Sequence, residues 1–264
     1  MNNESPVIPA LCSVTFRSLA PEELIPLASQ NGVRAIEWGA DVHVPLGDLS
    51  RAEQVAELCR QHEIDADSYG SYVRAGDAET SEEFAQALAS AKSLGANNIR
   101  VWAGRNTPDK LDDTQRQKIV TDLAAMAEEA ASQDITVSIE FHRNTMTERL
   151  ADTVQLLENA DHVNLFTYWQ PVPGRAQEEL LAEITTLAPW LGHVHVFHWL
   201  PAEGADERRP LMEGRDSWSS LMSNWKTSPR WSKPRLAMLE FVANNDEEQF
   251  KQDMRVLRQL CTAC

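Results

Sequence analysis

The sequence predicts an α/β protein, a (β/α)8 TIM barrel in which residues 1–264 form a single domain. Eight short segments of β-forming residues alternate with eight segments of helical periodicity. The strand starts are about 32 residues apart on average, which is the length of one strand–helix unit. Eight such units in 264 residues suit this fold, and no linker or low-complexity segment divides the chain. A doubly wound open sheet is the alternative, but no G-x-G-x-x-G sequence follows the first strand.

Each predicted strand is a short run of β-branched, aromatic or aliphatic residues near a turn residue. The segment His193–Trp199, for example, lies between Gly192 and Pro201. The predicted strands begin near residues 11, 34, 64, 98, 136, 163, 193 and 236.

The predicted helices have start signals and apolar faces. Pro21 suits a first helical position, and the runs beginning at Ser50 and Thr80 have the spelling of a capping box. A long helix is predicted over roughly 112–133 and a last one over about 246–261. Apolar residues recur at three- and four-residue steps along both, which indicates one buried face. These residues are Ile119, Leu123, Met126 and Ala130 in the first helix, and Phe250, Met254, Leu257 and Cys261 in the second.

The charge balance is strongly acidic. The chain has 24 basic and 40 acidic residues and a formal charge of −16. Such a surface repels a phosphate backbone, so a nucleic-acid partner is not expected.

The beginning of the sequence and its cysteines favour a reduced compartment. The first residues lack the basic start and apolar run of a signal peptide, and no apolar stretch approaches the roughly 18 residues of a membrane span. The pair Cys261 and Cys264 spells C-x-x-C, but no second pair accompanies it, which argues against a zinc or redox site. We therefore expect a cytoplasmic protein that does not bind membranes.

The seventh predicted strand carries three histidines. His193 and His195 share one face because side chains alternate along a strand, and His198 falls near the strand's end. Buried histidines are costly without partners, so they are either core residues bonded to backbone or parts of a site. Two other strands favour the site, since one ends in Glu140 and His142 and another ends at Glu240.

These residues are donors suited to a divalent metal. Glu140, His195 and Glu240 offer carboxylate oxygens and an imidazole nitrogen, which suit Mn²⁺, Mg²⁺, Zn²⁺ or Co²⁺. Salt bridges to arginines such as Arg208 or Arg209 are the alternative explanation for the carboxylates.

Aromatic residues also collect at the predicted strand ends. Tryptophan faces pack against the C–H faces of sugars, so such a rim suits a polyol, although the tryptophans could equally complete the packing of the barrel. The aromatic residues at these positions are Phe16, Trp38, Tyr69, Trp102, Trp169 and Trp199.

Several motifs together resemble the xylose-isomerase-like TIM-barrel superfamily, the group of sugar isomerases, epimerases and endonuclease IV. The matching pieces cover nearly the whole chain: TFRSL, IEWGADVHVP, DSYGSYVRAG, IRVWAG, SIEFH, YWQP, HVHVFHW, RPLMEG and LEF. The small number of histidines and the acidic charge argue against the endonuclease members of the group. The set of carboxylates and a lysine that true xylose isomerases use was not found in the sequence.

The resemblance implies one divalent metal ion as cofactor. Epimerase-like members hold it with a glutamate, an aspartate, a histidine and a glutamate from strands five to eight. These positions fall on Glu140, Gln170, His195 and Glu240. Gln170 departs from the family pattern, because an amide oxygen brings no negative charge and should bind the metal more weakly.

The function that the resemblance implies is isomerisation or epimerisation of a small sugar or sugar derivative through an enediolate. The expected catalytic residues are Glu140, Glu240, His142 and His198, with the two glutamates exchanging the proton next to the carbonyl. One of Arg208 or Arg209 would orient hydroxyls. The expected substrate-binding residues are Trp38, Tyr69, Trp102, Trp169, Trp199 and Arg209.

Two alternatives remain open. The chain could be a catalytically silent sugar-binding barrel, or a metal-dependent dehydratase or hydrolase on the same scaffold, because a fold does not fix a function. The expected partner is a small-molecule substrate, and homo-oligomer formation stays open.

Overall fold

The computed structural model describes residues 7–226 and 228–263. Eight parallel strands form a closed barrel, which confirms the predicted (β/α)8 TIM barrel. The barrel strands are β1 (Val7–Cys12), β2 (Ala35–Gly39), β3 (Asp65–Ala75), β4 (Asn98–Ala103), β5 (Thr136–Glu140), β6 (Leu165–Trp169), β7 (Leu191–Val196) and β10 (Arg235–Leu239), and the strands β8 (His198–Leu200) and β9 (Glu207–Arg209) form a separate sheet. The order around the barrel is β1-β10-β7-β6-β5-β4-β3-β2.

In the described part of the chain, eight α-helices connect or follow these strands. They are α1 (Pro21–Gln30), α2 (Leu49–Gln61), α3 (Thr80–Leu94), α4 (Asp113–Ala131), α5 (Leu150–Ala160), α6 (Gln177–Thr186), α7 (Arg215–Asn224) and α8 (Glu247–Thr262). The predicted apolar faces of α4 and α8 are buried, as the three- and four-residue spacing requires.

By internal contacts the chain comprises two compact units. The first unit contains the described residues up to Glu37, Leu58–Asp65 and the residues from Gln170 onward, and the second contains Trp38–Glu57 and Ala66–Trp169. The assignment of residues 1–264 to a single domain stays a prediction.

In the first unit, strand register brings chemically active side chains next to one another. β1 pairs with β2 so that Cys12 lies opposite Glu37, and β10 pairs with β7 so that Met238 lies opposite His195. His195 and Glu37 are therefore held by strands rather than by loops, and both are fully buried.

In the second unit, β3 to β6 pair in sequence order. Arg100 of β4 lies opposite Ser138 of β5, and Glu140 lies opposite Tyr168 of β6. Since alternate residues share a face, Arg100 and Glu140 fall on neighbouring strands at adjacent levels of the sheet.

Three predictions about local structure were wrong. The histidine strand ends at Val196, and His198 begins a two-stranded antiparallel hairpin of β8 and β9 that the sequence pattern did not indicate. The side chain of Asp48 rather than that of Ser50 accepts from the first turn of α2. Thr80 is not a cap, since its hydroxyl donates to the carbonyls of Arg74 and Asp77 before α3.

The cysteines that the structure describes, Cys12, Cys59 and Cys261, are buried and form no disulfide among themselves. Cys264, the other half of the C-x-x-C sequence, lies outside the described residues. Within residues 7–226 and 228–263, no helix is long and apolar enough to cross a membrane.

Candidate active site

Glu140 lies at the C-terminal end of β5 and is bound by side chains of β4. The guanidinium of Arg100 and the indole N–H of Trp102 both donate to Oε2 of the Glu140 carboxylate. The side chains of Arg100 and Glu140 are 3% and 4% exposed, so this is a buried, charge-compensated pair. Two donors on one oxygen stabilise the ionised carboxylate and make it a poor proton acceptor.

The ring of Trp102 organises two further groups. The imidazole of His142 stacks on Trp102 with centroids 4.9 Å apart and an interplanar angle of 20°. The guanidinium carbon of Arg74 lies 3.7 Å from the centroid of the Trp102 ring, which is cation–π distance. Trp102 thus holds a base and a cation at the ends of β3, β4 and β5.

The contact of His142 with the main chain indicates its tautomer. Nδ1 of His142 lies 2.6 Å from the carbonyl oxygen of Arg143. A carbonyl oxygen only accepts hydrogen bonds, so Nδ1 carries the proton and, in the neutral ring, Nε2 carries the lone pair. His142 can therefore act as a base through Nε2.

Among the residues that the structure describes, Arg74 is a cation without an ion-pair partner. Its Nη1 donates to the carbonyl oxygen of Gly104 at 3.0 Å, and in the described part of the chain no carboxylate lies within ion-pair distance of it. Burial lowers the pKa of Arg74, with a contribution from neighbouring Arg105, while Asp77 and Glu140 raise it. Arginine stays protonated at neutral pH despite such a shift, so Arg74 presents a positive charge.

In the first unit, His195 brings together two other predicted ligands. Its Nδ1 lies 3.2 Å from Oε1 of Gln170 and 3.6 Å from Oε2 of Glu240. The side chains of His195 and Glu240 are 1% and 12% exposed.

This donor set fits a divalent metal. One imidazole nitrogen, one carboxylate oxygen and one amide oxygen are ligands that Mg²⁺, Mn²⁺ and Zn²⁺ accept in proteins. Gln170 brings an oxygen but no charge to this set, and its role as a ligand stays a prediction. The membership of Glu140 in the ligand set stays a prediction.

The opposite edge of the His195 ring faces a carboxylate that the sequence analysis left out of the site. Nε2 of His195 lies 3.4 Å from Oε1 of Glu37, and the thiol of Cys12 lies 3.4 Å from the same oxygen. A glutamate in the middle of the apolar strand β2 was the available signal, because a buried carboxylate needs a donor or a cation.

His193 has a structural role. Its Nδ1 accepts the backbone N–H of Leu236 at 3.0 Å, and its ring packs edge-on against Trp231. Burial lowers the pKa of His193 to about 3, so the ring is neutral at ordinary pH. His193 is thus the core histidine of the strand.

The two arginines of β9 have different surroundings. The guanidinium of Arg209 binds Glu207 and Glu213 and is 38% exposed, so its charge is already engaged. Arg208 packs over the ring of Phe241 at 4.2 Å, and burial lowers its pKa, while the charge of Glu240 acts in the opposite direction. These contacts favour Arg208 over Arg209 as the substrate-facing arginine.

His198, the remaining predicted catalytic residue, begins the hairpin and is half-buried. Burial lowers its pKa, while nearby Glu213 raises it. Gly214 packs directly against its ring, where a Cβ would lie 2.7 Å from Nδ1, so His198 is held by close packing.

The predicted aromatic substrate contacts divide into two groups. Tyr69 and Trp169 are fully buried, and the Tyr69 hydroxyl donates to the carbonyl of Val44 at 2.8 Å, which is a structural bond. Trp38 and Trp199 each hold an indole N–H that is buried and lacks a hydrogen-bond partner among the described residues. Such donors are uncommon without a ligand or water to accept from them.

Comparisons with known proteins support the fold and suggest several activities. The chain is 22% identical to the 3-dehydroshikimate dehydratase of Bacillus anthracis over 280 residues, covering 94% of this chain and 95% of that protein. The crystal structure of the probable 3-DHS dehydratase AsbF, involved in petrobactin synthesis in the same organism, matches with a TM-score of 0.77. The identity is 21%, over 95% of this chain and 98% of that one.

Two further solved structures have the same fold. A xylose isomerase-like TIM barrel protein from Mycobacterium smegmatis, in complex with magnesium, matches with a TM-score of 0.69 and 17% identity over 98% and 97% of the chains. D-allulose 3-epimerase from Methylomonas sp. matches with a TM-score of 0.72 and 11% identity over 98% and 100%.

The relatives with named activities are enzymes, but those activities differ, and at these identities the structural likeness shows the fold alone. The family profile itself extends over most of the sequence and confirms the resemblance seen in the motifs. With residues 25–260 matched, the chain belongs to the xylose isomerase-like TIM barrel family.

Proposed function

We propose that the protein is a metal-assisted dehydratase that removes water from a small hydroxy-carbonyl acid of the 3-dehydroshikimate type. The observation that carries this proposal is that the two groups beside Trp102, Glu140 and His142, differ in their ability to accept a proton. Glu140 is bound by Arg100 and Trp102 and is a poor base, whereas Nε2 of His142 carries the lone pair of the neutral ring. One well-placed base suits an elimination better than a reaction that needs two carboxylate bases.

The proposed chemistry is a β-elimination. Nε2 of His142 takes the proton from the carbon next to the substrate carbonyl, and the electrons of the broken C–H bond form a C=C bond to the adjacent carbon. The C–O bond on that carbon breaks with its electron pair on oxygen, and the hydroxide takes up the proton that His142 removed and leaves as water. In the first unit, Glu240, His195 and Gln170 would hold a divalent ion, and the chemistry that such an ion supplies is the polarisation of a carbonyl.

The charges suit an anionic substrate. Arg74 is a partly buried cation with no carboxylate partner in the described part of the chain, and it packs against the same ring as His142. A substrate carboxylate bound to Arg74 would form charge-assisted hydrogen bonds in a poorly solvated place. A neutral sugar would leave this charge uncompensated.

The buried indole N–H groups offer further recognition. Trp38 and Trp199 were predicted to bind substrate, and each presents a donor that hydroxyl or carbonyl oxygens could satisfy. Trp38 lies near the C-terminal end of β2 in the second unit, and Trp199 follows the C-terminal end of β7 in the first unit. Catalytic residues of this fold are found at such strand ends.

The test is an assay of the purified protein with 3-dehydroshikimate and Mn²⁺ or Mg²⁺. Dehydration gives a more conjugated product, seen as new ultraviolet absorbance and as the loss of one water by mass spectrometry. A matched panel of aldoses, ketoses and inosose-type polyols should show no such change. Recovery of an isomer of equal mass, with deuterium from deuterated water next to the carbonyl, would contradict the dehydratase.

Isomerisation or epimerisation of a sugar is the second candidate. The shared fold of D-allulose 3-epimerase and the carboxylate of Glu240 beside His195 support it. It requires Glu140 as the second base, despite its contacts with Arg100 and Trp102. Turnover of a neutral ketose that is abolished by Glu140→Gln would favour this candidate, and sugar binding without metal or turnover would favour a silent binding protein.

A further inference from the structure

We propose that Glu37 is a positioning residue that orients His195 for the metal, so that in the metal-bound protein Nδ1 binds the ion and Nε2 carries the proton. The inference rests on the metal site of the proposed function but not on the reaction. It concerns a residue outside the predicted ligand set, and three features of the first unit carry it.

The first feature is that the two ring nitrogens of His195 face different surroundings. Nδ1 faces oxygens of Gln170 and Glu240, at 3.2 and 3.6 Å, whereas Nε2 faces Oε1 of Glu37 at 3.4 Å. A neutral imidazole has one N–H and one lone pair. Without an ion, Nδ1 carries the proton, because its partner, the amide oxygen of Gln170, only accepts hydrogen bonds. When the lone pair of Nδ1 binds a metal ion, the N–H must lie on Nε2, on the edge of the ring that faces Glu37.

The second feature is that a strand fixes Glu37 and buries it. Glu37 lies in β2 opposite Cys12 of β1, and its exposed fraction is 0%. The thiol of Cys12 donates to Oε1 of Glu37 at 3.4 Å. A carboxylate held this rigidly restrains the rotation of the His195 ring, which an exposed side chain could not do.

The third feature is the chemical benefit of a carboxylate behind a ligating imidazole. A carboxylate that accepts the far N–H selects the tautomer and increases the electron density on the ligating nitrogen. Cys12, Glu37 and His195 bring one donor atom each within 4.8 Å of one another, so this group could itself be mistaken for a metal site. We assign it the positioning role because the three side chains are almost fully buried, and the oxygens suited to a hard cation lie on the other edge of the ring.

The main test is a calorimetric titration of Mn²⁺ into metal-free wild-type protein, Glu37→Gln and two control variants. Glu37→Gln keeps the side-chain size but removes the charge, and metal binding should weaken by about 10- to 100-fold. Glu183→Gln is the matched control, because Glu183 is a buried carboxylate of α6 bound by Arg175. Cys12→Ser keeps a donor to Glu37, and both controls should bind Mn²⁺ within about threefold of wild type. Equal affinity of Glu37→Gln and wild type would overturn the proposal.

A second measurement needs no substitution at Glu37. In protein with ¹⁵N-labelled histidine, loaded with Zn²⁺, the His195 signal (assigned by its loss in His195→Gln) should show a proton on Nε2 and coordination at Nδ1. Coordination at Nε2, or a second Zn²⁺ equivalent that disappears in Cys12→Ser, would overturn the positioning role. If these results hold while no substrate is turned over, the proposed function fails and the inference stands. If wild-type protein binds no divalent ion, the inference about Glu37 fails. Turnover of substrate without metal would then show that an enzymatic function stands although the inference about Glu37 does not.

Discussion

Each of the two compact units has a glutamate at the end of a strand, but the surroundings of the two carboxylates differ. In the second unit, Glu140 is neutralised inside the protein by the guanidinium of Arg100 and the indole of Trp102. In the first unit, Glu240 lies beside the imidazole of His195 and the amide of Gln170, groups that share its ability to bind a cation. Similar sequence contexts, SIEFH and LEF, thus lead to one carboxylate with a fixed internal cation and one suited to a metal.

The difference shows that residue type and position at a strand end do not define a role. A carboxylate with a buried guanidinium partner is held ionised and rigid, and its proton affinity falls. His142 follows Glu140 closely in sequence. Its Nδ1 donates to the carbonyl of Arg143, so Nε2 carries the lone pair of the neutral ring. The base in the second unit is therefore expected to be the histidine, not the glutamate.

The largest expected effect is on turnover. His142→Gln should lower kcat by about 10²–10⁴-fold, which is the usual contribution of a positioned general base. His162→Gln is the control, since His162 also belongs to the second unit but pairs with the exposed Glu128. Steady-state assays of both variants would decide the matter. A near-normal rate for His142→Gln, together with loss of activity in Glu140→Gln, would return the role of base to the glutamate.

The next effect is on stability. Glu140→Leu leaves the Arg100 charge buried without its carboxylate, which should cost about 3–5 kcal/mol of unfolding free energy. The double variant Glu140→Leu/Arg100→Met removes both charges and should be much less destabilised than the sum of the single variants. Urea unfolding of the three variants measures the coupling. Glu240→Leu should be less costly than Glu140→Leu, and equal costs would contradict the contrast between the two glutamates.

A smaller effect is expected on substrate affinity. Arg74→Met should raise KM for a carboxylate substrate by roughly 10- to 100-fold, because a charged hydrogen bond contributes about 1.5–3 kcal/mol. Arg105→Met is the control, since the Arg105 side chain is 64% exposed and pairs with Asp77. The KM for an analogue without the carboxylate should be the same in Arg74→Met and wild type. If the KM for the acid is also unchanged, Arg74 does not face the substrate.

The smallest expected effect is a gain of metal affinity. Gln170→Asp adds a negative charge beside His195 and Glu240 and should tighten Mn²⁺ binding by about tenfold, because affinity follows the charge of the ligands. Gln177→Asp, on α6, adds the same charge outside the predicted ligand set and should leave the affinity close to wild type. Calorimetry of the two variants tests this, and unchanged or weaker binding in Gln170→Asp would exclude Gln170 as a ligand.

Much of the fold could be predicted because its signals are local. Runs of β-forming residues between turn residues located the barrel strands, and the spacing of apolar residues located the buried faces of α4 and α8. The hairpin of β8 and β9 was missed, since its strands have only three residues each and all the side chains of β9 are charged. Cytoplasmic localisation and homo-oligomer formation stay predictions.

The candidate site was predicted as a set of residue types at strand ends, but not as a set of partners. Arg100 and Trp102 share one face of β4 by the two-residue period, and an arginine inside an apolar strand was a signal for a buried acidic partner. The same signal was present for Glu37 in β2. Neither signal could identify the partner residue, because the partner of a buried charge depends on which strands are neighbours and in what register they pair.

By itself, the sequence determined the barrel, the family and the residues that lie at the ends of β5, β6, β7 and β10. Hydrophobic period and turn chemistry act over a few residues, so they can be read directly along the chain. Only the tertiary structure decided that Arg100 neutralises Glu140 across 40 residues, and that Glu37 faces His195 although they lie on strands far apart in sequence. The proton affinity of a carboxylate or imidazole depends on charges and donors within a few ångströms, and strand register alone sets those distances.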